Sequence, residues 1–102
     1  MSYALQIHPE ADAEHAQTTA WLAEHVSTAR ALAYANAIGR ALDEIRERPL
    51  AWPRWRSLSD VHVRHLPAIS YSVIYRVQED MVTILAFAHM HRALGYWLDR
   101  RP

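Results

Sequence analysis

The chain has 102 residues, 51% of them apolar, with no cysteine and no lysine. That length suits one domain with a modest core, since folding at this size buries only roughly 60 to 70% of the surface that the unfolded chain exposes. The missing cysteines exclude a disulfide framework and a thiolate zinc site, and the missing lysines exclude a mechanism that needs an amine as base or Schiff-base former.

Formal net charge is zero but unevenly spread: residues 1–48 hold four Arg against seven acids, and residues 49–102 hold seven Arg against four acids. The halves are therefore net −3 and net +3. All positive charge is guanidinium, a planar fork suited to carboxylate or phosphate. The neutral total offers little of the counterion release that supports nucleic-acid affinity. No basic start followed by an apolar signal core is present, and the longest nearly apolar run, Met81 to Ala88, is too short to span a bilayer, so the expectation is a soluble cytoplasmic protein.

Tyr3 to His8 alternates Tyr3, Leu5 and Ile7 against Ala4, Gln6 and His8, the two-residue period of a strand. Pro9 ends it and opens an Ala-rich helix whose early acids Glu10, Asp12 and Glu14 suit the positive end of the helix dipole; they read as a solvated helix start. Ser27 or Thr28 caps a second helix to about Arg48, with Leu32, Ala35, Ile38, Leu42 and Ile45 as its apolar stripe. The short connection predicts an antiparallel helical hairpin, with Trp21 and Leu22 turned toward the sheet or the second helix.

Pro49 closes that helix, and residues 49–60 form an irregular connector. Val61 to Leu66, Tyr71 to Val77 and Met81 to His89 read as three strands joined by short loops, hence an antiparallel meander. The last is apolar on both faces apart from Thr83, which predicts a central strand covered by the helices. The expected architecture is one two-layer α+β domain in the order β-αα-βββ: a helical hairpin on a largely antiparallel four-stranded sheet.

The element order, the strand "YSVIYRV", the acidic turn, the strand "VTILAFAH" and the ending "HMHRALGYW" together resemble the RelE/ParE superfamily of bacterial type II toxin-antitoxin toxins, over nearly the whole of residues 1–102. The tail carries the most specific part of the likeness, in His89, His91, Arg92, Tyr96 and Trp97. Met90, His91 and Ala93-Leu94 depart from the commoner Gly, Arg and Asp-Pro of the family. The resemblance implies a toxin neutralised in a hetero-oligomeric complex by a cognate antitoxin. ParE-like members are implicated in poisoning DNA gyrase, whereas RelE-like members cut mRNA on the ribosome.

The long Ala-rich hairpin and the absence of the lysines usual in RelE-like members favour the ParE-like reading. Its target-binding residues are then His89, His91, Arg92, Tyr96, Arg100 and Arg101, with no catalytic group and no cofactor. In the nuclease alternative, Arg64, Arg76 and Arg92 hold phosphate while His89 or Tyr96 moves the proton. Strand alternation would let Arg64 and Arg76 share the sheet face away from the helices, where with Arg92 they would bind an acidic stretch of antitoxin. His89 would follow Leu85 and Phe87 on one face of its strand.

Each feature also has a plainer reading. His89 suits a strand-end histidine bonded to backbone, and His62 and His65 suit polar groups on opposite strand faces. Trp52 and Trp55 of "WPRWR", like Trp97, suit core-closing residues better than base-stacking ones. His89 and His91 lack further ligands at recognisable spacing, so no metal site is expected. A non-toxic module that captures a peptide at a strand edge is a further alternative, separated from a toxin by whether expression arrests growth.

Overall fold

The computed structural model describes residues 3–101. Strand β1 (Ala4–Ile7) leads into helices α1 (Pro9–His25) and α2 (Thr28–Glu47), followed by β2 (Val61–Leu66), β3 (Tyr71–Gln78) and β4 (Met81–His89). His8 leaves the expected first strand to cap α1, its Nδ1 accepting from the Glu10 N–H at 3.1 Å, and Pro9 takes the first helical turn, where its missing N–H costs nothing. Ser27 caps α2, its hydroxyl oxygen accepting from the Arg30 N–H at 3.0 Å.

The sheet order is β1-β4-β3-β2, with β1 parallel to β4 and the other pairs antiparallel. β4 is central, as its composition requires. The helices cover one face, where Tyr34, Ile38, Ala41 and Ile45 of α2 pack on Val73, Tyr75, Val82, Ile84 and Phe87. On the other face Val61, Val63, Ile74, Leu85, Ala86 and Ala88 are closed over by Trp97, with Trp55, Leu58 and Tyr96 at the margin. Two 3₁₀ turns, Pro67–Ile69 and Leu98–Arg100, shape the β2–β3 connection and the tail.

Several expectations shift. The buried stripe of α2 is Ala31, Tyr34, Ile38, Ala41 and Ile45, and Leu32 is 58% exposed. Tyr34 displaces it because its ring fits between His15 and Tyr71, at centroid distances of 5.4 and 5.1 Å. Trp21 is likewise 56% exposed and stacks on His25 of its own helix, while Leu22 does reach the core.

Leu85 and Phe87 do not share a face. Ile74 pairs with Ala86 but Tyr75 pairs with Ile84, so Leu85 is the extra residue of a β-bulge. Alternation restarts after it, which sends Leu85 to the Trp97 side and Phe87 to the helix side. His89 follows Phe87, and its ring meets Tyr71 edge-on at 5.1 Å.

Arg64 and Arg76 do not share a face either. Arg64 lies opposite Val73, a helix-side residue, whereas Arg76 lies opposite Val61 of the other cluster, and cross-strand partners point the same way. Arg64 accordingly reaches α2, where it pairs with Glu44 at 3.0 Å, and its guanidinium lies over Trp52. Arg76 pairs with Asp60 at 2.7 Å.

Candidate functional site

β1 is short, pairing with β4 only from Met81 to Ile84. Beyond Ile84 that edge of β4 lacks a strand partner among the described residues, and an unpaired buried backbone group costs about as much as a lost hydrogen bond. Two side chains satisfy it. The Phe87 N–H donates to Glu14 Oε1 at 3.1 Å, and Arg100 donates to the Leu85 carbonyl at 3.0 Å.

Glu14 and Arg100 also bind each other, with guanidinium to carboxylate distances of 3.0 and 3.1 Å, and the Tyr96 hydroxyl donates to Glu14 Oε2 at 2.6 Å. The Glu14 and Arg100 side chains are only 12% and 9% exposed. Glu14 is therefore a buried hub and not the solvated helix-start acid expected. The sequence did carry a signal for it: Ala11, Glu14, Thr18 and Leu22 recur at spacings of three and four, on the stripe of α1 that turns inward.

Electrostatics follow from this hub. Burial and the neighbouring Glu14 carboxylate push the Tyr96 phenol well above its ordinary range, so it stays a protonated donor. Burial alone would lower the Arg100 pKa, but the hydrogen bond and charge of Glu14 outweigh it and raise it. At Asp60 burial works upward, yet the Arg76 hydrogen bond, with the Arg76 and Arg101 charges, holds the carboxyl below its usual range.

From this anchor the tail folds back across the sheet. The Met90 N–H donates to the Ser70 carbonyl at 2.9 Å, and the Arg92 N–H to the His89 carbonyl at 2.9 Å. Gly95 adopts φ +77°, and a Cβ there would stand 2.9 Å from Leu98 Cδ1, so both backbone and space call for glycine. Trp97 then drops into the core, edge-on to Trp55 at 4.9 Å.

Between this tail, the 53–56 segment and the sheet lies a cleft of about 290 Å³. Trp55, Ile74, Tyr96 and Trp97 give it aromatic and aliphatic walls; Arg54, Arg56 and Arg92 supply charge, and His65 and His89 reach its lining. No carboxylate lines it among the described residues. Within it the ring of His65 hydrogen-bonds Ser72 Oγ at 2.7 Å.

The candidate residues thus separate. His89, His91 and Arg92 are exposed at the tail end of the sheet, where His89 Nδ1 accepts from the His91 N–H at 3.1 Å; the Arg92 guanidinium lies 3.9 Å from the Tyr96 ring centre and 3.7 Å from Glu14 Oε2, at the rim of the hub. Arg100 is locked in the Glu14 hub. Arg101 sits half-buried, 3.9 Å from Asp60. Arg64 stands apart from all of these on the helix side. No group of three or more His, Asp or Glu among the described residues is placed to hold a metal.

The family model for the ParE toxin of the type II toxin-antitoxin system parDE matches residues 5–94, from β1 into the tail. The chain belongs to the ParE toxin family. None of the curated protein sequences matches it.

Solved structures share the fold of this ParE-family chain at low sequence identity. A chain from the chromosomal ParDE toxin-antitoxin system of P. aeruginosa superposes with a TM-score of 0.75 at 15% identity, covering 88% of this chain and 98% of that one. A double mutant of the E. coli toxin RelE in the free state gives 0.72 at 17% identity, covering 100% of both chains. A crystal structure of the isolated E. coli RelE toxin gives 0.67 at 16% identity, covering 98% of this chain and 97% of that one. Those likenesses establish a common fold. No helix among the described residues of this ParE-family toxin is long and apolar enough to cross a membrane.

Proposed function

We propose that this ParE-family toxin arrests growth by poisoning DNA gyrase without cleaving RNA, and that a cognate antitoxin neutralises it. The observation that carries the reading is that the groups a nuclease would need do not converge as free groups: Arg92 and Tyr96 lie together but both face Glu14, and the two strand arginines are elsewhere. Arg64 is paired with Glu44 on the helix side, Arg76 with Asp60 on the opposite face, and the Tyr96 hydroxyl is committed to Glu14. General acid-base catalysis needs donor, acceptor and phosphate holders within hydrogen-bond reach of one reacting centre. Side chains pinned in three separate intramolecular pairs meet that requirement poorly.

The same arrangement suits a contact surface. His89, His91 and Arg92 project from the end of the central strand, on a tail held by the Glu14–Arg100 anchor and by Trp97. In this reading Tyr96 and Arg100 position the surface, Arg101 borders it, and His89, His91 and Arg92 touch the target. Neutralisation by an antitoxin accords with the family and with the P. aeruginosa ParDE chain that shares the fold.

A supercoiling assay with purified gyrase, ATP and relaxed plasmid tests this. Wild-type protein is expected to inhibit supercoiling, and His91→Ala/Arg92→Ala to inhibit it substantially less while keeping the wild-type melting temperature. Equal inhibition by both proteins would remove the tail surface from the account, and no inhibition by either would refute the gyrase reading.

A further inference from the structure

A groove of about 440 Å³ opens on the helix side of the sheet, where the later part of α1 and the start of α2 meet the β2–β3 connection. Trp21, Leu22 and Ile69 give it apolar walls. Arg30 lines it too, and pairs with no acid among the described residues. No carboxylate lines the groove among those residues. It is separate from the cleft under the tail, with His89 the one residue common to both. Trp21 stacks on His25 of its own helix and otherwise leaves more than half of its surface open.

Three hydroxyls from three elements meet here. Thr18 of α1 and Tyr71 of β3 both line the groove, and their oxygens stand 3.5 Å apart, the outer limit of a hydrogen bond. Tyr34 of α2 packs edge-on to Tyr71 at 5.1 Å; it is 2% exposed, and its hydroxyl is buried without a bonded partner. Burial pushes the Tyr34 phenol well above its ordinary range, and the nearby Thr18 hydroxyl offsets this only in part, so Tyr34 stays a protonated donor. Three O–H donors thus share one long contact, and the trio is short of an acceptor. Unpaired buried polar groups are rare in folded proteins, and each calls for a physical explanation.

We propose that this groove binds a small aromatic carboxylate. A carboxylate only accepts: it takes the hydrogens of Thr18 and Tyr71, Thr18 Oγ1 then accepts from Tyr34, and Arg30 supplies the opposite charge. The ring lies against Trp21, Leu22 and Ile69 in offset or edge-on contact. Size and composition agree, since small-ligand pockets run from about 300 to 1,000 Å³ with apolar walls and a few placed polar groups. An uncharged ligand would leave Arg30 unused, and a cation would meet a guanidinium with no acid beside it. Because His89 borders both this groove and the tail surface, the bound ligand lies beside a residue assigned to target contact.

The test is an NMR titration of isotope-labelled protein with phenylacetate, followed at the Trp21 indole resonance, beside the uncharged analogue phenylacetamide. Wild type is expected to give a saturable shift with phenylacetate and to bind phenylacetamide about tenfold more weakly. Arg30→Gln and Tyr71→Phe are each expected to bind phenylacetate about tenfold more weakly, having lost a bond that involves a charged group. Arg40→Gln, exposed on α2 outside the groove, is expected to bind within about twofold of wild type. Tyr71→Phe keeps its ring contacts, and matching thermal melts confirm that these variants fold.

Tyr34→Phe gives a reading that needs no ligand. Removing an unpaired hydroxyl is expected to keep or raise the Tm of the free protein, whereas a lower Tm would mean that the trio is already satisfied and would overturn the proposal. No saturable shift, equal binding of phenylacetamide, or unchanged affinity in both groove variants also overturns it. So does tighter binding of N-acetyl-Ala-Ala-Phe than of phenylacetate, which would assign the groove to the end of a polypeptide. No gyrase enters these measurements, so they and the supercoiling assay succeed or fail independently.

Discussion

Glu14 and Arg100, 86 residues apart in the chain, form an ion pair that also completes the unpaired edge of the central strand. Deleting one partner leaves the other charge poorly solvated and strips the Phe87 N–H of its acceptor. Glu14→Ala is expected to destabilise the fold by about 3 kcal/mol, the low end of the range for breaking a buried pair, because both side chains keep slight solvent contact. Urea unfolding reads the loss directly. Faster tryptic cleavage after Arg92 would report tail release, and a variant as stable and protease-resistant as wild type would contradict the anchoring role.

Gly95 sets the turn that sends Trp97 into the core. Its left-handed backbone and the nearby Leu98 side chain both penalise a methyl group. Gly95→Ala is expected to cost about 1 kcal/mol or more, visible as a lower Tm and a changed near-ultraviolet signal from the Trp55–Trp97 pair.

Tyr75 is fully buried, and its hydroxyl donates to the Pro49 carbonyl while its face stacks on His62, centroids 5.4 Å apart. Tyr75→Phe keeps the packing but leaves that carbonyl unpaired, for an expected loss of about 1–3 kcal/mol. An unchanged unfolding midpoint would show that water reaches Pro49 readily.

His15 lies between Tyr34 and Phe87, each ring centroid 5.4 Å away, and burial holds its pKa below the ordinary 6.5, against the smaller opposing pull of Asp12. A lowered folded-state pKa means that the unfolded chain takes up the proton first. Stability is therefore full above pH 6.5 and falls as pH drops below it toward the folded value. His15→Phe is expected to flatten that mildly acidic part of the stability profile, leaving the loss at lower pH to carboxylates such as Asp60. Parallel profiles for variant and wild type would contradict it.

The strands were legible almost to the residue because short apolar runs bounded by turn residues leave few alternatives. β2 and β4 run as expected, and β3 is longer only by Gln78. What the sequence left open was parity. Within-strand alternation holds in β2 and β3, but the register pairing Leu66 with Tyr71 puts even residues of one strand beside odd residues of the other, and this separates Arg64 from Arg76. No local pattern announces that register, nor the bulge at Leu85. The tail residues His89, Arg92, Tyr96 and Trp97 stood out by composition, but the carboxylate that organises them lies in α1, visible only as a charge on an otherwise inward stripe.

The central claim is that the tail poisons gyrase and does not cut RNA. It is tested most directly in one culture expressing the toxin, by measuring gyrase-trapped DNA cleavage and mapping mRNA ends at the same time. Trapped DNA breaks that rise before growth stops, with mRNA ends unchanged, are the predicted result. New mRNA ends on translating ribosomes, lost in His89→Ala and appearing without DNA breaks, would contradict it.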